Sequence, residues 1–414
     1  MPEANDTVTN DRPEYRVTET AADYEAAVAA LAGGTGPVAV DAERASGFRY
    51  SQRAYLIQVF RRGSGVFLFD PIALEGEVGH DLTALQNAIV GEEWVLHAAS
   101  QDLACLREVG LDPVDIFDTE LAARLLGLPR VGLGPLTENL LGIHLAKEHS
   151  AADWSTRPLP QSWLTYAALD VELLVDLRDE VEKLLEASGK TEIARQEFHG
   201  ELVKEAKAPR AEPWRRLSGI HSLRGVRNLA VARELWLARD ELARERDTAP
   251  GRLVPDAALT AVAKAMPSSK RELAGLKEFT GRASRSEIDR WWNAIELGRT
   301  TDDLPVTRPT GEHVPPVRAW ADRNPEADAR YRLARERVSA YAEEHAIPVE
   351  NVLTPELLRR VAWEPPVPAD AASIGAQLAA GGARPWQVEA TAELIATAFV
   401  EAEQSAAEAE QSAS

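Results

Sequence analysis

Residues Val38-Ala39-Val40-Asp41-Ala42-Glu43 form an apolar run closed by two carboxylates two positions apart. A strand alternates its side chains, so Asp41 and Glu43 fall on one side of it. Two acids at the end of a buried strand repel each other and lose hydration. A cation between them removes that penalty, and hard divalent ions such as Mg²⁺ take oxygen ligands. The competing reading is a solvated strand end, because most Asp and Glu residues are exposed. Acids further along the chain decide between the two.

Around this run, strand and helix patterns alternate. Tyr15–Thr18 reads as a strand and Glu19–Leu31 as a helix ended by Gly33-Gly34. Ala54–Phe60 and Gly65–Asp70 read as strands joined by a turn at Arg61-Arg62-Gly63-Ser64. A helix over 81–90 leads to a buried strand, Glu93–Ala98. This alternation predicts an α/β sheet with helices on its faces. Ser100-Gln101-Asp102-Leu103 looks like a helix start, with Ser100 as N-cap and Asp102 in the first turn, where the macrodipole favours an anion. That placement accounts for Asp102 without a metal. Residues 116–146 read as mostly helical, broken at Gly127, Pro129, Gly132 and Gly134. The polar and aromatic stretch Lys147–Leu159 reads as a site-lining loop. In the helix that follows, from about Gln161, Tyr166 and Asp170 share a face one turn apart. An interface tyrosine and a surface acid are the plainer account of that pair.

Composition narrows the class. The 414 residues suggest two or three domains, and no run of about 18 apolar residues predicts a membrane span. Met1–Arg16 lacks the apolar segment of a secretory signal. One cysteine, Cys105, excludes an internal disulfide and a cysteine-based zinc site; it reads as a small core residue, and a reducing cytoplasm fits. No nucleotide-cradling glycine-lysine loop is present, so ATP use is not expected. Net charge is −20, but unevenly spread: −16 over residues 1–210, +5 over 211–299 and −9 over 300–414. A basic middle between acidic flanks points to the middle as the part that meets an anionic partner; compositional drift is the bland alternative.

Taken together, Asp41-Ala42-Glu43, Asp102 after His97, and Tyr166-Ala167-Ala168-Leu169-Asp170 stand in the order of three exonuclease motifs. The chain resembles the DEDD 3′→5′ exonuclease superfamily, in the branch with tyrosine in its third motif, and within it the ribonuclease D family. Tyr55-Leu56-Ile57-Gln58, His97–Asp102, Asp118-Thr119 and Asp153-Trp154 with Arg157-Pro158-Leu159 add to the likeness, which covers about residues 15–200. It implies a ribonuclease H-like fold, a mixed central sheet flanked by helices. It also implies two divalent ions, Mg²⁺ or Mn²⁺, about 3.5–4 Å apart. Asp41, Glu43 and Asp170 would surround the ion carrying the attacking water. Asp41 would bridge to the second ion, and Asp102 would hold that one through water. Tyr166 would orient the water, since a neutral phenol is a poor base at neutral pH. Tyr55, Leu56 and Trp154 are candidates to stack or wedge terminal bases, and Gln58 and Arg157 to make polar contacts.

After a linker at Pro209–Pro213, residues 214–299 resemble the HRDC domain, a small all-α bundle, through Trp236 and Val254-Pro255-Asp256. The implied role is auxiliary nucleic-acid binding; a domain that only packs is the alternative. Beyond a second linker at Thr300–Pro316, Leu353-Thr354-Pro355-Glu356 partly echoes Leu253-Val254-Pro255-Asp256, which suggests a diverged second HRDC-like unit over about 317–400. Residues 1–14 are expected to be disordered, and the acidic tail 401–414 to extend a helix or be disordered. The expected function is a metal-dependent 3′→5′ exoribonuclease trimming tRNA precursors or other structured RNA 3′ ends and releasing nucleoside 5′-monophosphates. A DNA exonuclease and a non-catalytic scaffold are the alternatives, although no carboxylate of the set is missing. Deleting 211–414 is expected to leave hydrolysis of short single strands intact.

Overall fold

The computed structural model describes residues 13–145, 151–204, 210–307 and 314–413, with side chains to residue 408. The expectations for residues 1–12, Lys147–Ser150, Pro209 and residues 308–313 of the Thr300–Pro316 linker fall outside the described residues. Six strands build one sheet: β1 (Tyr15–Thr18), β2 (Thr35–Arg44), β3 (Ala54–Arg62), β4 (Gly65–Phe69), β5 (Trp94–Leu96) and β6 (Ile116–Asp118). Their spatial order is β1-β4-β3-β2-β5-β6. The β2-β3 and β3-β4 pairs are antiparallel, and the β1-β4, β2-β5 and β5-β6 pairs are parallel. This is the mixed α/β sheet that the alternation of elements predicted.

β2 lies between β3 and β5, so Val38, Ala39 and Val40 are all buried. Burial on both faces is why this stretch reads as a continuous apolar run rather than an alternating one. The helix Gln161–Glu172 crosses β2, β3 and β4, and its Ala167, Ala168 and Val171 enter the core. Two local expectations change. Ile116–Asp118 is a strand, not the start of a helical stretch; three residues are too few to carry a readable period, and pairing with β5 decides. Ser100 is not an N-cap. Ala99–Gln101 forms a single 3₁₀ turn, and Asp102 itself occupies the cap position of the helix Leu103–Glu108 without a capping side-chain bond.

Among the described residues, apolar side chains gather in two cores. Residues 214–295 surround one of them, with Trp214, Leu235, Leu259 and Trp291 at its centre. Helices of 20, 4 and 10 residues start at Val226, Pro250 and Asp256, and helices of 20, 4 and 9 residues start at Pro325, Val349 and Pro355. The turns after the two long helices match as well, with positive φ at Asp247 and Ala346. The second set packs differently. Its Trp320, Tyr331, Val338 and Phe399 belong to the same core as the sheet.

Polar contacts fasten that attachment. The Trp386 indole N–H donates to buried Glu197 at 2.8 Å, and its backbone N–H to Gln196 Oε1 at 2.9 Å. Lys190 Nζ donates to the carbonyls of Leu125 and His345, both at 2.7 Å. Gly127 lies so near Ala346 that a Cβ there would fall 2.5 Å from its carbonyl oxygen. Removing residues 211–414 would therefore strip part of the sheet's own core, which bears directly on the expected hydrolysis of short single strands by the truncated chain. Trp386→Phe keeps an aromatic ring, though a smaller one, and leaves Glu197 short of the indole donor. It should lower the free energy of unfolding by about 1–3 kcal/mol in denaturant titration.

Candidate active site

β2 delivers Asp41 and Glu43 to one wall, and the helix Gln161–Glu172 delivers Tyr166 and Asp170 opposite them. Asp41, Glu43 and Asp170 each offer a carboxylate oxygen, and these oxygens all lie within 4.8 Å of one another. They line a cavity of about 610 Å³ with Arg44, Phe48, His97, Gln101, Asp102 and Tyr166. Asp102 belongs to this cavity but not to the close triplet. The Tyr166 hydroxyl hydrogen-bonds Asp170 one turn on.

Buried Asp118, at the end of β6, builds the turn that carries Asp102. Its carboxylate accepts the backbone N–H groups of Ala98 at 3.0 Å and Ala99 at 2.8 Å. It also accepts those of Glu120 and Leu121 at 3.0 and 3.1 Å, capping the helix Thr119–Leu125. Ala98 has φ +63°, and the Asp118 carboxylate holds that turn in place. Thr119 fixes the neighbouring histidine. Its hydroxyl donates to the Leu96 carbonyl, so it accepts from His97 Nδ1 at 2.9 Å. His97 Nε2 is then the bare nitrogen. Burial brings the His97 pKa down to about 4, so the ring is neutral.

The acids are electrostatically frustrated. Burial first, then the charges of Asp41 and Asp170, push Glu43 up to about 10. Burial and Asp41 push Asp102 up to about 8. Asp41 and Asp170 are raised as well, chiefly by burial. An all-oxygen donor set this close, holding carboxylates that resist ionising alone, fits a hard divalent cation. Asp41, Glu43 and Asp170 would hold it.

The residues read as substrate contacts are not brought to this cavity. Leu56, Gln58 and Trp154 are each 0% exposed, in the core under the helix Gln161–Glu172. Arg157 forms an ion pair with Asp70 at 2.7 Å and donates to the carbonyls of Tyr55 and Trp154, both at 2.8 Å. Tyr55 is buried too, and its hydroxyl bonds Asp247 of the middle region at 3.4 Å. Arg157 and Tyr55 thus spend their polar groups on scaffold contacts, whereas the Gln58 amide and the Trp154 indole nitrogen are buried without a hydrogen-bond partner among the described residues. The cavity instead presents Arg44, Phe48 and Gln101, none of them singled out from sequence.

Comparison with known proteins gives three matches along the chain. Residues 15–186 match the 3′-5′ exonuclease family, 228–295 the HRDC domain, and 313–399 a 3′ to 5′ exonuclease C-terminal domain. Ribonuclease D of Jannaschia sp. is 30% identical over 336 residues, 79% of this chain and 83% of that protein. Two further ribonuclease D chains are matched over 52% and 74% of their own lengths. A solved protein from Bifidobacterium adolescentis is 36% identical with a TM-score of 0.85, over 94% of this chain and 99% of that one. The Escherichia coli ribonuclease D structure is 24% identical with a TM-score of 0.69 over the same shares, a likeness of fold.

The frustrated acids make the ion measurable without any substrate. Unfolded Asp and Glu titrate near about 4, whereas Glu43 and Asp102 titrate near 10 and 8 in the ion-free fold. The native state thus binds more protons, and this contribution to stability is complete below about pH 4 and is lost as pH rises through 8 to 10. In EDTA the melting temperature should fall from about pH 5 to about pH 9, and Mg²⁺ or Mn²⁺ should restore it increasingly with pH. A melting temperature indifferent to both ions across that range would remove the cation site.

Proposed function

The chain belongs to the ribonuclease D family, and from that premise we propose that it is a metal-dependent 3′→5′ exoribonuclease working in the cavity walled by Asp41, Glu43, Asp102, Tyr166 and Asp170. The observation that carries this reading is the meeting of Asp41, Glu43 and Asp170 oxygens within 4.8 Å, on elements 129 residues apart in sequence (41 to 170). Two bound divalent ions would supply an activated water and charge relief on the phosphate and the leaving 3′-oxygen.

The chain's own groups do the rest. Asp41, Glu43 and Asp170 fix the positions of charge in the cleft, and Asp102 contributes from the other wall. Tyr166 keeps its proton, because burial and the Asp170 and Glu43 charges raise its pKa above the ordinary phenol value. It therefore acts through hydrogen bonding that orients water, not as a base. Phe48 at the cavity wall offers a face for a terminal base. The products are nucleoside 5′-monophosphates. The Escherichia coli relative is described as an exoribonuclease involved in structured RNA processing, and structured RNA 3′ ends, tRNA precursors among them, are the proposed substrates here. The middle region, residues 214–299, with its net +5 charge, serves as auxiliary RNA contact, and the second helical set as a diverged repeat of it. A single buried cysteine and the lack, among the described residues, of a helix able to cross a membrane accord with a cytoplasmic enzyme.

The test is degradation of a 5′-labelled RNA with a single-stranded 3′ tail, in Mg²⁺ or Mn²⁺, beside the matched DNA. Shortening from the 3′ end should be abolished by EDTA. Asp41→Asn and Asp170→Asn should each lower kcat by more than about a hundredfold, beyond the loss typical of residues that only support a metal ligand. Tyr166→Phe should lower kcat about 10–100-fold with KM little changed. An inactive wild type that still binds RNA would make the protein a scaffold, and faster loss of the DNA strand would make it a DNA exonuclease.

A further inference from the structure

On strict alternation Arg44 would point away from Asp41 and Glu43, to the face of Ala42. Arg44 lines the cavity with them all the same, as does Ala42. The strand register is irregular at this point. Glu43 pairs with Leu56, but Arg44 pairs with Ala54, so Tyr55 is an extra residue on β3. A bulge of this kind bends the ladder and re-aims the side chains beside it. The bulge is held from two sides. Arg157, itself paired with Asp70, donates to the Tyr55 carbonyl at 2.8 Å, and Asp247 accepts from the Tyr55 hydroxyl at 3.4 Å. Asp247 also accepts the backbone N–H groups of Tyr50 and Ser51, at 3.1 and 2.8 Å.

Among the described residues Arg44 makes no hydrogen bond or ion pair, whereas the other arginines around this end of the sheet are engaged. Arg49 bonds Ser155, Arg53 pairs with Glu75, and Arg157 pairs with Asp70. Arg44 is thus a half-buried guanidinium, uncommitted and near three carboxylates, Asp41, Glu43 and Asp102. Its charge lowers the pKa values of Asp41, Glu43 and Asp102, yet those acids are the groups a divalent ion would satisfy. With that ion in place, the guanidinium needs another anion, and its planar fork matches a phosphate.

We propose that Arg44, lining the cleft beside the Tyr55 bulge, is the contact that grips a backbone phosphate of the RNA strand next to the cleaved bond. This rests on the exonuclease reading of the same cavity. Its alternative is that Arg44 only balances the acids, and the two roles predict opposite results.

The experiment uses the full chain carrying Asp170→Asn, so that the strand stays intact, and adds Arg44→Gln or Arg44→Lys. Binding of a short fluorescent single-stranded RNA is followed by anisotropy across NaCl concentrations with Mg²⁺ present. A lost phosphate contact should weaken binding about tenfold for Arg44→Gln. It should also flatten the log–log salt slope by about 0.7, the share of one single-strand phosphate. Arg44→Lys should keep the slope and lose only part of the affinity. In the otherwise native chain, Arg44→Gln should raise KM more than it lowers kcat. Unchanged affinity and slope, with half-saturation by Mg²⁺ moved to lower concentration, would overturn the proposal in favour of charge balance. Circular dichroism melts of each variant identify misfolding, and a folded Arg44→Lys that behaves as Arg44→Gln in slope would also overturn it. If the wild type leaves RNA uncut while the slope still falls, the phosphate contact stands and the exonuclease reading fails.

Discussion

Carboxylates crowded into a partly dry cleft repel one another, and most of what surrounds them here can be understood as holding them together despite that. Asp41, Glu43 and Asp170 would relax apart if their backbones could move. They cannot. β2 is stitched to β3 and β5, and the helix bearing Asp170 is pressed on the sheet through Ala167 and Ala168, which permit close approach. Asp102 hangs on a turn whose N–H groups are tied to Asp118. The repulsion is therefore stored, and it is relieved by a proton or by a cation.

The same logic extends to the loop between β2 and β3. The middle helical region reaches it through Asp247, through the Ala249 N–H to the Phe48 carbonyl at 2.9 Å, and through Arg252. Arg252 donates to the Gly47 carbonyl at 2.7 Å and lies 3.8 Å over the Phe48 ring. Phe48 and Arg44 both face the cavity, so a region far along the chain shapes the cleft mouth. Whatever else its basic surface does, it is also part of the frame.

Much of this was legible in the sequence, and the reasons are local. The strand leading to Asp41-Ala42-Glu43 is a continuous apolar run, the helical spacing of Tyr166 and Asp170 is a periodic signal, and both survive folding. The short strand Ile116–Asp118 was not legible, because its identity comes from its neighbour β5. Arg44 was hidden because a bulge breaks alternation without leaving a mark in composition. That Arg157, Gln58 and Trp154 lie away from the cavity was not legible for another reason. A polar or aromatic residue near an active-site motif has the same signature whether it touches substrate or braces the wall. Only burial separates the cases, and burial is a property of the whole fold.

The order in which the chain visits its two cores carries a further consequence. It builds most of the first core by about residue 198, leaves it to form the second between 214 and 295, and returns between 320 and 399. A growing polypeptide on the ribosome must therefore expose the surface that Trp386 and Phe399 will cover for the whole time the middle region is being made and folded. The cleft acids lie within the first 170 residues, yet the body that holds them is finished only by the last long helix. A chain interrupted before that helix would carry every acid of the cleft and still lack a sealed core, which makes it a substrate for quality control before it can reach its finished form.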